Sequence, residues 1–262
     1  MLDLNGKTAV ITGGNSGIGA ETARLFSQQG AAVTLVARRQ AQLEELAQAI
    51  RSHGGQVLVL PGDVTQAGFA DHVCEKTVET FGHLDILVNN AGVADQNRAA
   101  VRTSDALWEK CVAVDETAVF RFCRAALRHM TRQGWGSIVN VSSIGGVYSI
   151  AGAAYSSSKH AVVSLSKNIA IQYTGTGIRC NTICPGPTTT PMTEVKPENA
   201  AEDGLPNDPR FDREFTHICQ RHADGSIGFL TPEDQANAIL FFASDEAKAI
   251  TGQWLLVDKG FY

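Results

Sequence analysis

The sequence predicts one α/β domain, a doubly wound parallel sheet of about seven strands with helices on both faces. Three observations predict it. Short apolar runs alternate with longer helical patterns along all 262 residues, the order that right-handed βαβ crossovers produce. The runs AVIT and DILVN are almost continuously apolar, as strands buried on both faces are. The first run closes in the glycine-rich turn TGGNSGIG, directly before a helical pattern, which makes the expected sheet Rossmann-type.

The elements follow in order. Thr8–Ile11 is a β-branched strand candidate, and Ala20–Gln29 follows with helical spacing. Ala32–Val36 and Val57–Leu60 are the next strands, the second closed by Pro61-Gly62. Gln40–Ser52 and Ala67–Phe81 are the helices after them. Leu84–Val88, Ser137–Val141 and Ile178–Ile183 are three further strands, separated by Ser104–Arg132 and Ala153–Tyr173, each read as one long helix. Pro232–Ser244 is the last helix and Trp254–Val257 the last strand. These assignments rest on the period of the apolar residues, near 2 or near 3.6.

Composition excludes several classes. The chain carries 22 Lys+Arg against 27 Asp+Glu, a net charge of −5, where a nucleic-acid protein shows a basic excess. With 44% hydrophobic and 19% charged residues, wholesale disorder is excluded as well. No stretch approaches the roughly 20 apolar residues of a membrane helix. The start, MLDLNGKTAVITGG, lacks a basic region followed by an apolar run and so does not read as a secretory signal. The cytoplasm is the expected compartment. Cys74, Cys111, Cys123, Cys180, Cys184 and Cys219 form no CxxC pair and read as reduced, mostly buried small hydrophobes.

No stretch resembles a linker, so one domain over residues 1–262 is expected. The one compositional shift runs from Pro185 to about Gly228, with four of the eight prolines between Pro185 and Pro197 and then the polar stretch PENAAEDGLPNDPR. A loop of this length after the sixth strand reads as a substrate lid at about 186–228. Met192, Phe211, Phe215, Ile218 and Phe229 suggest a partly apolar pocket there. His217, Cys219 and His222 read as surface or substrate contacts, and no metal is expected.

Gly13, Gly17 and Gly19, with Asn15, Ser16 and Ile18 between them, place a tight turn and a helix N-terminus where a pyrophosphate can approach the backbone. At the end of the second strand an acidic residue would hold the ribose 2′-hydroxyl of NAD. Here Arg38 and Arg39 stand instead. Their planar donors suit the 2′-phosphate of NADP, and the competing reading is a pair of solvated arginines opening a helix. Asp63-Val64 and Asn89-Asn90-Ala91-Gly92 end the third and fourth strands. They could meet the adenine and its ribose, or serve as turn chemistry. Tyr155 and Lys159 lie four apart on a helical pattern, so phenol and ammonium share one face. A fixed positive charge favours the phenolate. Trp135, between Gly134 and Gly136, reads as a turn-anchored packing residue.

With these residues together, the chain resembles the short-chain dehydrogenase/reductase family. The matches are TGGNSGIG, DV, NNAG, the VSS strand end, YSSSK and CPGPTTTPM, in the family's order and over nearly all of Leu4 to Phe261. The resemblance implies that Tyr155 is the catalytic acid/base and that Lys159 holds the nicotinamide ribose and depresses the tyrosine pKa. It implies that Ser143 hydrogen-bonds the substrate oxygen, that Asn89 to Gly92 line the cofactor, and that Pro185, Gly186, Thr188 and Thr190 contact carboxamide and diphosphate. Ser142 competes for the serine role: it lies 13 residues before Tyr155, the commoner family spacing. Ser143 fits the family's SxxG pattern and is preferred.

Two departures stand out. Asp115 occupies a helix position where the family usually has Asn, and it is expected to keep a water-binding role, pair with Lys159 and move activity toward higher pH. Lys259 in Asp258-Lys259-Gly260 replaces a family glycine near a subunit contact. The family's helices corresponding to Ser104–Arg132 and Ala153–Tyr173 commonly form a dimer interface, so a homo-oligomer, dimer or tetramer, is expected. Gly145, Gly146, Gly152 and Ala153 hint at room for a ring or bulky chain. The expected activity is hydride transfer between NADP(H) and a small carbonyl or secondary alcohol. The rivals are an NAD(H)-dependent alcohol or diol dehydrogenase of the same family and a non-catalytic dinucleotide-binding regulator.

Overall fold

The structure, a computed structural model, describes residues 2–193 and 228–260. Seven strands form one sheet: β1 (Thr8–Thr12), β2 (Ala32–Ala37), β3 (Val57–Pro61), β4 (Ile86–Asn89), β5 (Gly136–Val141), β6 (Ile178–Pro185) and β7 (Trp254–Val257). Their order is β3-β2-β1-β4-β5-β6-β7, and every neighbouring pair is parallel. The helices are α1 (Gly17–Gln28), α2 (Gln40–Ser52), α3 (Phe69–Phe81), α4 (Asp105–Cys111), α5 (Ala118–Gln133), α6 (Gly145–Tyr148), α7 (Ala153–Gln172) and α8 (Pro232–Ala243).

Alternation along the central strands feeds two cores. Ala9, Ile11, Ile86, Val88, Val139 and Val141 pack with Phe26, Leu43 and Ile239, from α1, α2 and α8. Val10, Leu87 and Ile138 turn to the other face and pack with Val73, Phe122, Met130 and Val162, from α3, α5 and α7. Each large apolar side chain buried this way contributes about 1.5–3 kcal/mol. The central strands therefore hold the molecule, while the edge strand β7 leaves Trp254 and Leu255 partly exposed. At α8 a capping box forms, with Thr231 and Asp234 bonding each other's backbone N–H and Pro232 opening the helix, as that pattern predicts.

The strand order reverses between β1 and β4. In open α/β sheets a ligand crevice lies at such a switch point, beyond the carboxyl ends of the strands. The glycine turn after β1 and the Asn90-Ala91-Gly92 segment after β4 both stand there.

The expected helix Ser104–Arg132 is helical throughout but not regular: α4 runs at Cys111 into a π turn over Val112–Thr117, which runs on into α5, with right-handed helical backbone at both junctions. The segment VAVDET contains neither proline nor glycine, so nothing local announces the π turn. The Lys259 backbone is left-handed, φ 56°, where glycine is unstrained, and its ammonium lies 3.8 Å from Asp234 Oδ2. The expected lid falls largely on residues 194–227, outside the described residues, as do Phe211, Phe215, Ile218, His217, Cys219 and His222.

Candidate active site

The glycine turn is held from behind. A Cβ at Gly13 would lie 2.7 Å from Asn90 Nδ2, and one at Gly19 would strike the same atom. Asn90 donates to Thr12 O at 3.0 Å and Gly13 O at 3.3 Å. At Gly13 and Gly19, then, the absent side chains make room for Asn90, which clamps the turn to the end of β4. Gly17 faces Thr190, whose Cγ2 would lie 3.1 Å from an added Cβ, so the loop after β6 crosses the turn.

The start of α1 has no side-chain cap and no acidic residue in its first turn, which leaves N–H groups and the positive dipole end available to an anion. Ser16, in the cap position, is engaged elsewhere. Its Oγ accepts from Arg39 Nη2 at 3.2 Å, and with the Asn15 amide turned so that its oxygen meets the guanidinium, that oxygen accepts from Arg39 Nη2 and Nε at 2.6 and 3.0 Å. Arg39 is thereby fixed over the turn while its face stays exposed. An uncapped helix start beside an anchored guanidinium fits a dinucleotide carrying an extra phosphate. Arg38 is exposed too, and its charge reaches Asp63. Asp63 Oδ1 accepts from Thr65 N–H and Oγ1 at 2.9 and 2.7 Å, bonds that hold its carboxyl below the ordinary range. Val64, next along, is buried.

Four polar side chains converge beyond β5 and on α7. Ser143 stands close enough to Tyr155 for its hydroxyl to draw the phenol's pKa down, and its Oγ accepts from Gly145 N–H at 3.0 Å. Ser142 is buried and donates to Lys159 O at 2.8 Å, so of the two serines only Ser143 addresses the phenol. Lys159 Nζ lies 5.5 Å from the centre of the Tyr155 ring, donates to Val141 O at 3.1 Å, and stands 3.4 Å from Asp115 Oδ1. That oxygen also accepts from Val93 N–H at 3.1 Å. The other, Oδ2, is buried without a partner, a place a water could fill. The π turn carries Asp115, wholly buried, into this position.

Burial governs the charges. It pushes the Tyr155 phenol above its ordinary value; Lys159 and the nearby Ser143 hydroxyl pull it down, and Asp115 and Asp95 push it up. The expected depression by Lys159 is present as a contribution but does not outweigh desolvation, which disfavours the phenolate. Burial alone would discharge Lys159, yet Asp115 and Tyr155 hold it above its ordinary value, so the ammonium stays charged. Asp115 is raised, by burial first and against Lys159.

Other expected residues sit differently. Asn89 does not line the crevice: buried, it donates to Asn140 Oδ1 at 2.8 Å and to Cys123 Sγ at 3.3 Å. Being the residue just before Asn90, it faces the opposite side of the strand. Ala91 N–H donates to Thr12 Oγ1 at 3.1 Å, and Gly92 abuts the Lys159–Asp115 pair, with Asp115 Oδ1 2.8 Å from an added Cβ. Thr188 is buried, its hydroxyl bonded to Gly186 O at 2.9 Å and to Gln235 Nε2 at 3.1 Å, so its side chain belongs to the joint with α8. Gly186 is filled against Asp258, and Pro185 ends β6. The glycines near Ser143 make no room for a ring. A Cβ at Gly146 would strike Ser142 Oγ and the Lys159 backbone, and one at Gly152 would strike the Asp95 carboxylate. Trp135 anchors its turn by donating its Nε1–H to Asp85 Oδ1. The five described cysteines are free and buried.

The sequence reading missed Asp95. It is buried, and its Oδ2 accepts from Tyr155 N–H at 2.9 Å. Met192, assigned to the pocket by sequence, lies beside Gly92, its Cε 3.6 Å from an added Cβ.

Comparison with known proteins places this geometry among enzymes. A family model described as enoyl-(acyl carrier protein) reductase matches residues 13–262. The 3β-hydroxysteroid dehydrogenase 2 of Eggerthella lenta is 35% identical over 98% of this chain and 95% of its own. The cis-4-hydroxycyclohexanecarboxylate dehydrogenase of Sinomonas cyclohexanicum is 36% identical over 97% and 96%. A crystal structure from Beutenbergia cavernae, assigned as an NAD(P)-dependent gluconate 5-dehydrogenase and holding NADP at low occupancy, superposes with a TM-score of 0.84. It is 31% identical and covers 99% of this chain and 98% of its own. Among the described residues no helix is long and apolar enough to cross a membrane.

Proposed function

Because the chain belongs to the short-chain dehydrogenase/reductase family, we propose that it interconverts a carbonyl and a secondary alcohol with NADP(H). It is an oxidoreductase acting on CH–OH donors. The observation that carries the reading is the convergence of Ser143, Tyr155 and Lys159 at the carboxyl edge of the sheet.

A bound nicotinamide supplies or accepts the hydride. Tyr155 gives its phenolic proton to the substrate oxygen in reduction and takes one from the alcohol in oxidation. Ser143 holds that same oxygen, stabilising the charge that develops on it. Lys159, charged and pinned by Val141 O and Asp115, counters the cost of the buried phenolate and is within the cleft to hold ribose hydroxyls. Asp115 limits that help, which places the tyrosine's working range at higher pH.

The anchored Arg39 supports NADP(H) over NAD(H). Two relatives' names carry a ring-borne hydroxyl, which makes ring alcohols and ring ketones the first substrate class to try. The exposed Phe120 of α5 and the apolar groove it shares with Leu127, Leu165 and Ile169 support packing against a second copy.

The test follows nicotinamide absorbance with NADPH across a panel of ring ketones, in the wild type and in Tyr155→Phe. The variant should lose about 100-fold or more in kcat/KM while binding NADPH as before. Wild-type turnover by Tyr155→Phe on every responsive substrate would refute the mechanism.

A further inference from the structure

We propose that Asp95 is a positioning residue that locks the Tyr155 end of α7 to the crevice-lining end of β4. The inference rests on the reading above and adds a residue to its site. A helix start leaves backbone N–H groups that need partners, and α7 supplies none of its own. Its cap is Gly152, with no side chain, and its first turn holds no acidic residue.

The partners come from the loop after β4. Ala153 N–H donates to Arg98 O at 3.0 Å. Tyr155 N–H donates to Asp95 Oδ2 at 2.9 Å. Asp95 Oδ1 accepts from Asn97 N–H at 3.1 Å. Two successive left-handed residues, Gln96 at φ 59° and Asn97 at φ 57°, fold the loop back on itself. Such backbone is strained for residues other than glycine and persists only where its surroundings hold it. Gly152 has no room for a Cβ because the Asp95 carboxylate occupies that space.

The other end of this loop is tied as well. Val93 N–H donates to Asp115 Oδ1, the oxygen facing Lys159. Gly92, just before it, abuts that oxygen and Lys159. The contacts close a ring from Gly92 through Asp115, Lys159 and α7 to Tyr155, then back through Asp95 and the loop. Tyr155 shifts against the strand end only if the Asp95 bonds break. Both carboxylate oxygens accept from backbone donors, so Asn, with one acceptor, would turn its amide hydrogens onto an N–H. At 1% exposure no solvent replaces the lost bond.

The experiment compares Asp95→Asn alone and in a Tyr155→Phe background, reading kcat, NADPH binding and amide hydrogen exchange at Tyr155. Displacement of a reacting group by about 1 Å costs on the order of 100-fold, so kcat should fall about 10- to 100-fold with NADPH affinity within about twofold. In the Tyr155→Phe background Asp95→Asn should change the residual rate by less than about twofold, since two residues acting through one group are not additive. An unchanged kcat, or the same loss in both backgrounds, overturns the proposal. Should Asp95→Asn not fold, Gly152→Ala presses on the carboxylate from the other side. A kcat-selective loss there supports the proposal and an intact kcat overturns it. If the wild type turns over no alcohol or ketone with either nicotinamide, the functional reading fails by itself. Exchange at Tyr155 then decides the lock: faster in the variant supports it, unchanged overturns it.

Discussion

Replacing Arg39 by alanine separates the two nicotinamide cofactors. The guanidinium is held by Ser16 Oγ at 3.2 Å and by the Asn15 amide oxygen at 2.6 and 3.0 Å, so little of its freedom remains to be lost when a phosphate arrives. A hydrogen bond to a charged group contributes about 1.5–3 kcal/mol. Because Arg39 is exposed and its field is screened by salt, the low end applies, about 1.5–2 kcal/mol for the whole side chain. That corresponds to NADPH binding weakened about 10- to 30-fold. NADH has no 2′-phosphate and should bind within about twofold of its wild-type affinity. Titration of each cofactor by tryptophan-to-nicotinamide energy transfer reads both constants, and higher salt should narrow the wild-type gap. Arg39→Lys should fall between, since an ammonium keeps the charge and loses the fork. Equal weakening of NADPH and NADH would mean that Arg39 merely braces the glycine turn, and would refute the NADP reading. So would a wild type that prefers NADH.

Three further outcomes follow from particular contacts. Asp115 pushes the Tyr155 phenol up and Lys159 pulls it down. Asp115→Asn should therefore move the tyrosine-controlled limb of the pH–rate profile to lower pH, with reduction falling off earlier and oxidation rising earlier; an unmoved limb refutes the pairing. Lys259→Gly relieves a left-handed backbone worth about 1 kcal/mol and gives up an exposed 3.8 Å ion pair worth a few tenths. The melting temperature should rise by about 1–3 °C, and a fall would show that the ion pair matters more than the strain. Gly146→Ala drives a Cβ into Ser142 Oγ and the Lys159 backbone, and thermal unfolding should show about 1–3 kcal/mol lost. Gly145→Ala, whose Cβ would meet Ala151 Cβ at 3.1 Å, should cost less.

The sheet was legible because strands buried on both faces write long apolar runs, and β7 was bounded by Trp254–Val257 in both readings. Tyr155 and Lys159 were legible because helix spacing brings residues four apart to one face. The choice between Ser142 and Ser143 needed geometry: adjacent residues at a strand end point to opposite sides, and spacing does not tell which side faces the phenol. Asp95 left no periodic signal, since DQN in a loop is what any turn contains. Its work depends on a helix start 60 residues away. Gly146 and Gly152 were visible as glycines, but whether a missing side chain admits a ligand or another backbone is decided by tertiary contacts. The net upward displacement of Tyr155 was likewise hidden, because burial of the phenol is a property of packing.

The π turn at Val112–Thr117 makes the site's electrostatics unusually easy to edit. A turn of this kind holds one residue more than the α turn it replaces, and each residue of an α-helix rotates the chain by about 100°. Loss of a single codon there would restore regular winding, swing the Asp115 carboxylate away from Lys159, and leave the buried face of α5 seated on the sheet. Reactivity and folding thus occupy separate genetic addresses along one rod: the inserted residue tunes the proton chemistry, and the helix beyond it carries the packing.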